Sequence, residues 1–385
     1  MDYRIYRYFS SLHFEGTNPY LAKAVPWTDV NMSFTDPNYL DYSGLQLTFY
    51  NFAYWIGDTF FGQQKVYVGF ILYSLTIIFI SILAIWFVAR QTAKKWMSWC
   101  LTILLFQPYF WYVSFSRSYE DKGVYLLIPT LVILTFNSRR TVSAACGLFA
   151  AWLGVGFLLF PIVLIEVYRN ASEKVAAVRQ IATCTAIFIV VFAVCMLPYF
   201  PESLIGWERR SNLENSTEPI WFSIWNLISP HYSSGLNRTA LLCLSFTIYL
   251  LKWRCRISAR ASILMLVSLT VLVSINTPAQ RIAPLFCVFV LAFENKRFAY
   301  LYTGFAFACS VLFFYFDRQY AIFTNYPVSH ASLLSLFLSA PLFFGGGLLI
   351  FDQIRNRSEP EKSSESVNVK VDLIRHSALP ISQSK

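Results

Sequence analysis

Val66-Tyr67-Val68-Gly69-Phe70-Ile71-Leu72-Tyr73-Ser74-Leu75-Thr76-Ile77-Ile78-Phe79-Ile80-Ser81-Ile82-Leu83-Ala84-Ile85-Trp86-Phe87-Val88-Ala89 carries no charged side chain, and Arg90, Lys94 and Lys95 follow it. An α-helix rises about 1.5 Å per residue, so this run covers the roughly 30 Å of a bilayer's hydrocarbon core. Further apolar segments lie at about 96 to 115, 122 to 136, 141 to 168, 180 to 199, 239 to 252, 261 to 275, 281 to 294, 299 to 316 and 331 to 351, several of them near the short limit for a span. The expectation is an all-α polytopic membrane protein with about ten membrane helices.

Composition points the same way. Of 385 residues, 56% are hydrophobic, 18% aromatic and 14% charged, and the mean hydropathy is +0.49, outside the range of soluble domains. The 36 Phe, 23 Tyr and 11 Trp suit lipid-facing surface and interfacial belts. A net charge of +10 does not call for a nucleic-acid partner, because cytoplasmic loops of membrane proteins collect Lys and Arg. Cys100, Cys146, Cys184, Cys195, Cys243, Cys287 and Cys309 sit inside apolar runs with no CxxC or Cys/His cluster, so neither zinc nor a disulfide framework is expected. No basic region followed by an apolar core opens the chain, which argues against a cleavable signal peptide.

Positive charge divides the connections into two sets. Arg90 with Lys94 and Lys95, Arg139 with Arg140, Arg169 with Lys174 and Arg179, Lys252 to Arg256 with Arg260, Lys296 with Arg297, and the basic C-terminal tail form the expected cytoplasmic set. Residues 1 to 65 and the connections near 116 to 121, 200 to 238, 276 to 280 and 317 to 330 form the exterior set. The domain plan is therefore an exterior loop with interfacial helices (1 to 65), a multi-helix membrane domain (66 to 352) with the exterior loop of 200 to 238, and a disordered cytoplasmic tail (353 to 385). Alternation requires 141 to 168 to enter and leave on the cytoplasmic side. A broken pair of short helices, interrupted near Gly154, Gly156 and Pro161, satisfies this; a single tilted helix with one exception to the charge rule is the other reading. Gly345-Gly346-Gly347 reads as a close-packing point or kink in an apolar helix.

The chain opens with Asp2-Tyr3-Arg4-Ile5-Tyr6, then Glu15-Gly16-Thr17-Asn18-Pro19-Tyr20. This order resembles the first luminal loop of the catalytic subunit of GPI mannosyltransferases and, more widely, GT-C glycosyltransferases that use polyprenyl-phosphate sugars, including the family 87 polyprenol-phosphate mannosyltransferases. The close likeness covers about twenty residues. It implies a GT-C-like bundle with exterior active-site loops. Asp2 falls on the second carboxylate of that family's Asp-x-Asp pair, which implies a chain that begins inside the motif, with an upstream helix lost. Beyond Tyr20 the family turns quickly into its next helix, whereas here Tyr39-Leu40-Asp41-Tyr42-Ser43-Gly44-Leu45 comes only after an insertion.

The resemblance implies an inverting transfer of a hexose, mannose-like, from a polyprenyl-phosphate-linked sugar to a lipid or glycan acceptor. Such a transfer needs a carboxylate to take the acceptor hydroxyl's proton, and Asp2 is the candidate base, with Tyr3, Tyr6, Asn18 and Tyr20 as substrate contacts. A solvated terminal Asp is the plainer reading. A second cluster, Ser116-Arg117-Ser118-Tyr119-Glu120-Asp121-Lys122, offers Glu120 or Asp121 for the family's second acidic position and Arg117 and Lys122 for the donor phosphate. A self-neutralising set of interfacial salt bridges fits it equally well. Arg281, at the exterior end of an apolar segment, and His231, in the loop of 200 to 238, are further candidates for substrate binding; Arg281 snorkelling to headgroups and a solvated His231 are the plainer readings. Ile220 to Ile228 reads as an interfacial amphipathic helix that guides a prenyl tail.

No cofactor and no metal are expected, since the donor carries a single phosphate and only one carboxylate of the pair is present. The partners implied are the lipid-linked donor, the acceptor and membrane lipids. The expected location is a bacterial inner membrane, or the ER membrane in a eukaryote, with the site on the extracytoplasmic side. A secondary transporter or lipid-linked glycan flippase is the alternative from another class; it predicts ionisable residues at mid-membrane and an internal repeat.

Overall fold

The computed structural model describes residues 2–21, 44–91, 94–107, 139–151, 154–171, 173–205, 220–221, 236–254, 257–273, 276–277, 279–319 and 328–358. Almost all of them are helical. In chain order the helices are α1 (Asp2–Phe14), α2 (Gly44–Phe61), α3 (Tyr67–Gln91), α4 (Lys95–Leu105), α5 (Arg139–Ala151), α6 (Gly154–Asn170), α7 (Lys174–Met196), α8 (Leu236–Trp253), α9 (Ala259–Val273), α10 (Ala279–Val290), α11 (Lys296–Gln319) and α12 (Val328–Ser358). Short 3-10 turns occupy Pro19–Leu21 and Gln63–Lys65.

Among the described residues three helices are long and apolar enough to cross a membrane, in segments Tyr67–Ala84, Lys174–Met196 and Lys296–Phe316. Their outward stripes fit that setting: Leu72, Leu75, Phe79 and Leu83 on α3, Ile189, Val190 and Val194 on α7, and Leu301, Phe305 and Leu312 on α11 are all exposed. Contiguous exposed apolar surface of this extent is unfavourable in water and neutral in lipid. The centre is occupied by α9, whose residues from Ala261 to Val273 are buried with few exceptions and which packs against α6, α8, α10 and α12. A helix that is apolar all round suits such an enclosed position, where no face of it meets water.

Segment 141 to 168 is the broken pair. Ser143 on α5 lies 3.8 Å from Cys184 on α7, and Gly147 faces Ile187 and Val191, so α5 and α7 run the same way. Phe157 on α6 meets Phe192 and Phe188 while Phe160 meets Phe188, so α6 runs against α7. Helices α5 and α6 therefore form an antiparallel hairpin. Pro161 does not interrupt it, contrary to the sequence expectation; the helix continues through Pro161. Proline removes one ladder donor and loosens the turn around it; the nearby Leu158 carbonyl accepts from the Tyr249 hydroxyl of α8 at 2.6 Å. At Gly156 an added Cβ would overlap the Phe149 carbonyl, so the two arms meet too closely for any other residue.

Other expectations shift. The opening stretch, read as a loop, is helical over Asp2–Phe14, because no Gly or Pro precedes Gly16 and Phe9 and Leu12 fall on one side against Tyr20 and Leu47. Helix α2 was not among the apolar runs; it pairs in antiparallel fashion with α3 through Tyr50 and Tyr73. Ile220–Trp221, expected as helix, is extended and pairs in parallel with Asn276–Thr277, whose backbone supplies the hydrogen bonds a helix would have made internally. The tail begins later than expected, since α12 continues to Ser358 and buries Asp352 and Gln353. Gly345 is a close-packing point, against the rings of Tyr302 and Phe289.

Candidate functional site

Two clusters of polar side chains form at opposite ends of α7. At the pole of Lys252, Glu166 on α6 forms an ion pair with Lys252 on α8, and the Arg169 guanidinium donates to the Trp253 carbonyl while Tyr168 stacks on the Trp253 ring. Asp352 accepts from the backbone N–H groups of Glu294 and Asn295 at 2.7 and 3.3 Å, capping α11, and Gln353 accepts from the Ser258 N–H at 3.1 Å, just ahead of α9. These contacts satisfy helix-terminal donors and read as architecture. They also gather Arg169, the 252–254 stretch, Ser258 and residues 294–295, so the segments grouped by positive charge meet one another.

The other cluster is built by the opening residues. Helix α1 ends in a Schellman turn: Gly16 has φ +77°, its N–H donates to the His13 carbonyl at 3.1 Å, and the Thr17 N–H reaches the Leu12 carbonyl at 2.8 Å. Asn18 Oδ1 accepts from the Tyr20 N–H at 3.0 Å, an Asx turn that leads into Pro19–Leu21. The ring of Tyr20 is fully enclosed by Phe9, Leu47 and Tyr199, so burial of these side chains, worth about 1.5–3 kcal/mol each, docks the turn on α2.

Into this corner projects Tyr199, three residues past the end of α7. Its hydroxyl lies 2.7 Å from His13 Nδ1 and accepts from Asn51 Nδ2, also at 2.7 Å. Tyr199 has φ +64°, a left-handed backbone that costs a bulky L-residue about 1–2 kcal/mol and that concentrates at functional positions. The turn is held there by the Ser203 hydroxyl, which donates to the Met196 carbonyl at 2.6 Å, and by Pro198, against which Gly44 at the start of α2 packs with no room for a Cβ. Burial pushes the Tyr199 phenol above its usual value, against the smaller opposing effect of the Asn51 hydrogen bond. Asn51 is itself buried, and among the described residues neither its Oδ1 nor the buried Ser10 hydroxyl of α1 has a hydrogen-bond partner. Phe14 stacks on Tyr54 at 5.3 Å, and Asp58, Arg7 and Glu15 lie close enough to act on the Tyr54 phenol.

Asp2, Tyr3 and Tyr6 stand in the first two turns of α1. Asn18 and Tyr20 stand in the turn just described, shaping it. Arg281 is in the first turn of α10. Arg117, Glu120, Asp121, Lys122 and His231 lie outside the described residues. Sequence reasoning missed His13, Asn51 and Tyr199, which are separated by up to 186 positions and carry no shared local pattern. Among the described residues no three His, Cys, Asp or Glu side chains converge as a metal site. No family model, no curated protein and no solved structure matches the chain.

Proposed function

We propose that the chain is a membrane glycosyltransferase of the GT-C type, moving a mannose-like hexose from a polyprenyl-phosphate sugar to a lipid or glycan acceptor on the extracytoplasmic face. One observation carries the reading: the opening residues that bear the GT-C resemblance fold into a helix and turn that join Asn51 and Tyr199 in a polar corner, at the opposite end of α7 from the basic pole. In this reading Asp2 takes the proton of the acceptor hydroxyl as that oxygen bonds to the anomeric carbon. The bond from that carbon to the phosphate oxygen breaks, and the lipid phosphate leaves with its electron pair. The expected bundle of about ten membrane helices belongs to the same proposal.

The test is transfer of labelled sugar from polyprenyl-phosphate donors by membranes containing the chain. Wild-type transfer that drops by about 10²-fold or more in Asp2→Asn, with expression unchanged, supports the reading. Equal transfer by both removes Asp2 from the mechanism.

The α5–α6 hairpin and the Glu166–Lys252 pair favour a second reading, a transporter or glycan flippase, because broken helices and ionisable pairs also build translocation sites. Absence of transfer with every donor, together with flux of a lipid-linked glycan across vesicles, would select it.

A further inference from the structure

The contacts at the pole of Lys252 close the bundle on their inner side and leave a second surface on their outer side. Lys252 is buried and occupied by Glu166. Beside it Tyr168, Arg169, Trp253 and Arg254 are all exposed. The Arg169 guanidinium lies 5.9 Å from the centre of the Trp253 ring and donates to the Trp253 carbonyl, and Tyr168 stacks on that ring at 5.7 Å. A guanidinium carries five N–H donors in a fixed fork, so this anchoring sets its direction and leaves most of its donors for a ligand.

Depth and shape identify the ligand. The span of α7 begins at Lys174, a few residues after Arg169, which sets this surface at the level of lipid headgroups. Tyr168 and Trp253 keep 48% and 47% of their surface open, as the rings of an interfacial belt do. From Trp253 into the membrane, α8 carries Leu250, Phe246 and Leu242 at the spacing of one helix face, and all three are exposed. A phosphate at Arg169 and Arg254, a glycerol backbone at the paired rings and an acyl chain along that stripe match a phospholipid from end to end. A free phosphate would use only the first of these.

The charges on the elements that meet here favour an anion. Arg169 and Arg254 stand with Lys174 and Arg179 of α7. Among the acids of this pole, Glu166 is paired with Lys252, Asp352 is buried on the N–H groups of residues 294 and 295, Glu294 acts on Arg260 and accepts from Gln353, and Glu173 adjoins Lys174. The C-terminal ends of α6 and α8 each oppose with about half a negative charge, which the two arginines outweigh.

We infer that Tyr168, Arg169, Trp253 and Arg254 form a binding site for one anionic phospholipid, whose acyl chain lies along the Leu250, Phe246 and Leu242 face of α8. The site is independent of the transferase reading, since neither it nor its test involves sugar.

Quenching of Trp253 fluorescence tests it on the full chain in nanodiscs, with the Trp253→Phe chain subtracted to isolate this indole. The probes are phosphatidylglycerol and zwitterionic phosphatidylcholine, each brominated high on an acyl chain. Phosphatidylglycerol is expected to quench at about twentyfold lower mole fraction, and Arg169→Gln and Arg254→Gln should each remove about fivefold of that preference, the worth of one basic residue at a lipid surface. The Arg254 side chain makes no bond among the described residues, so its variant reports binding without disturbing the end of α8. Arg297→Gln, which removes an exposed cation of the same pole outside the ring stack, should change nothing. Equal quenching by the two lipids, an unchanged preference in Arg254→Gln, an equal loss in Arg297→Gln, or release of the lipid by inorganic phosphate at constant ionic strength would each overturn the inference.

Discussion

Tyr199 concentrates the residue-scale physics of the site. Its hydroxyl is the one partner of Asn51 Nδ2 and His13 Nδ1 in the hydrogen-bond pattern described, so Tyr199→Phe leaves a buried amide donor unmet and is expected to cost about 1–3 kcal/mol in thermal or denaturant stability. Because burial raises the phenol's pKa, the folded chain holds this proton more tightly than the unfolded one. The stabilisation is complete below the ordinary phenol value of about 10 and is lost as pH rises from there through the phenol's higher value in the folded chain. Stability profiles of wild type and Tyr199→Phe should therefore converge at alkaline pH. Gly16 gives a contrasting case, since nothing lies within 4 Å of its Cβ position and only its φ of +77° forbids a side chain. Gly16→Ala should cost about 1 kcal/mol through backbone strain alone.

At the scale of the elements, the hairpin α5–α6 makes the sharpest prediction. Cysteines placed at Arg139 and Asn170, its two ends, should be labelled by an impermeant maleimide from the same side of the membrane; labelling from opposite sides would refute the hairpin. Gly156→Leu, which drives a side chain into the Phe149 backbone, should cost about 3 kcal/mol or more and abolish recovery of folded protein. Lys252→Ala strands the partly buried Glu166 carboxylate at a cost of about 2 kcal/mol, and Glu166→Gln in the same chain should restore much of it. The apolar runs that became α3 and α7 through α12 were legible because burial or lipid contact on all sides needs unbroken hydrophobicity. Helix α2 was not: Asn51, Gly57 and Asp58 interrupt its run, and its order comes from pairing with α3. Helix α1 misled for a related reason, since its polar, aromatic sequence resembles a family loop while its freedom from Gly and Pro before Gly16 allows a helix. The corner at Tyr199 was half legible. Its floor, Asn18 and Tyr20, stood in the motif, but a contact between positions 13 and 199 exists only once α7 has brought its far end to α1.

For the whole molecule, some members of each charge-defined set of connections come together. Residues 13, 51 and 199 meet at one pole, and residues 169, 253, 258, 294 and 353 meet at the other. Single cysteines at Glu202 and at Arg254 should accordingly react with impermeant reagents from opposite faces of sealed vesicles. The central α9 has a further consequence. A helix enclosed by its neighbours presents little surface to lipid, whereas the exposed apolar stripes of α3, α7 and α11 are the ones on which a change in acyl-chain length would act, by tilt in a thinner bilayer or by deforming a thicker one. Tyr199 hangs on the end of α7, so the polar corner is joined directly to one of these helices. The expected consequence is that acyl-chain length shifts the geometry between His13 and Tyr199 without touching any residue there, which a comparison of the Tyr199→Phe stability loss in thin and thick bilayers checks.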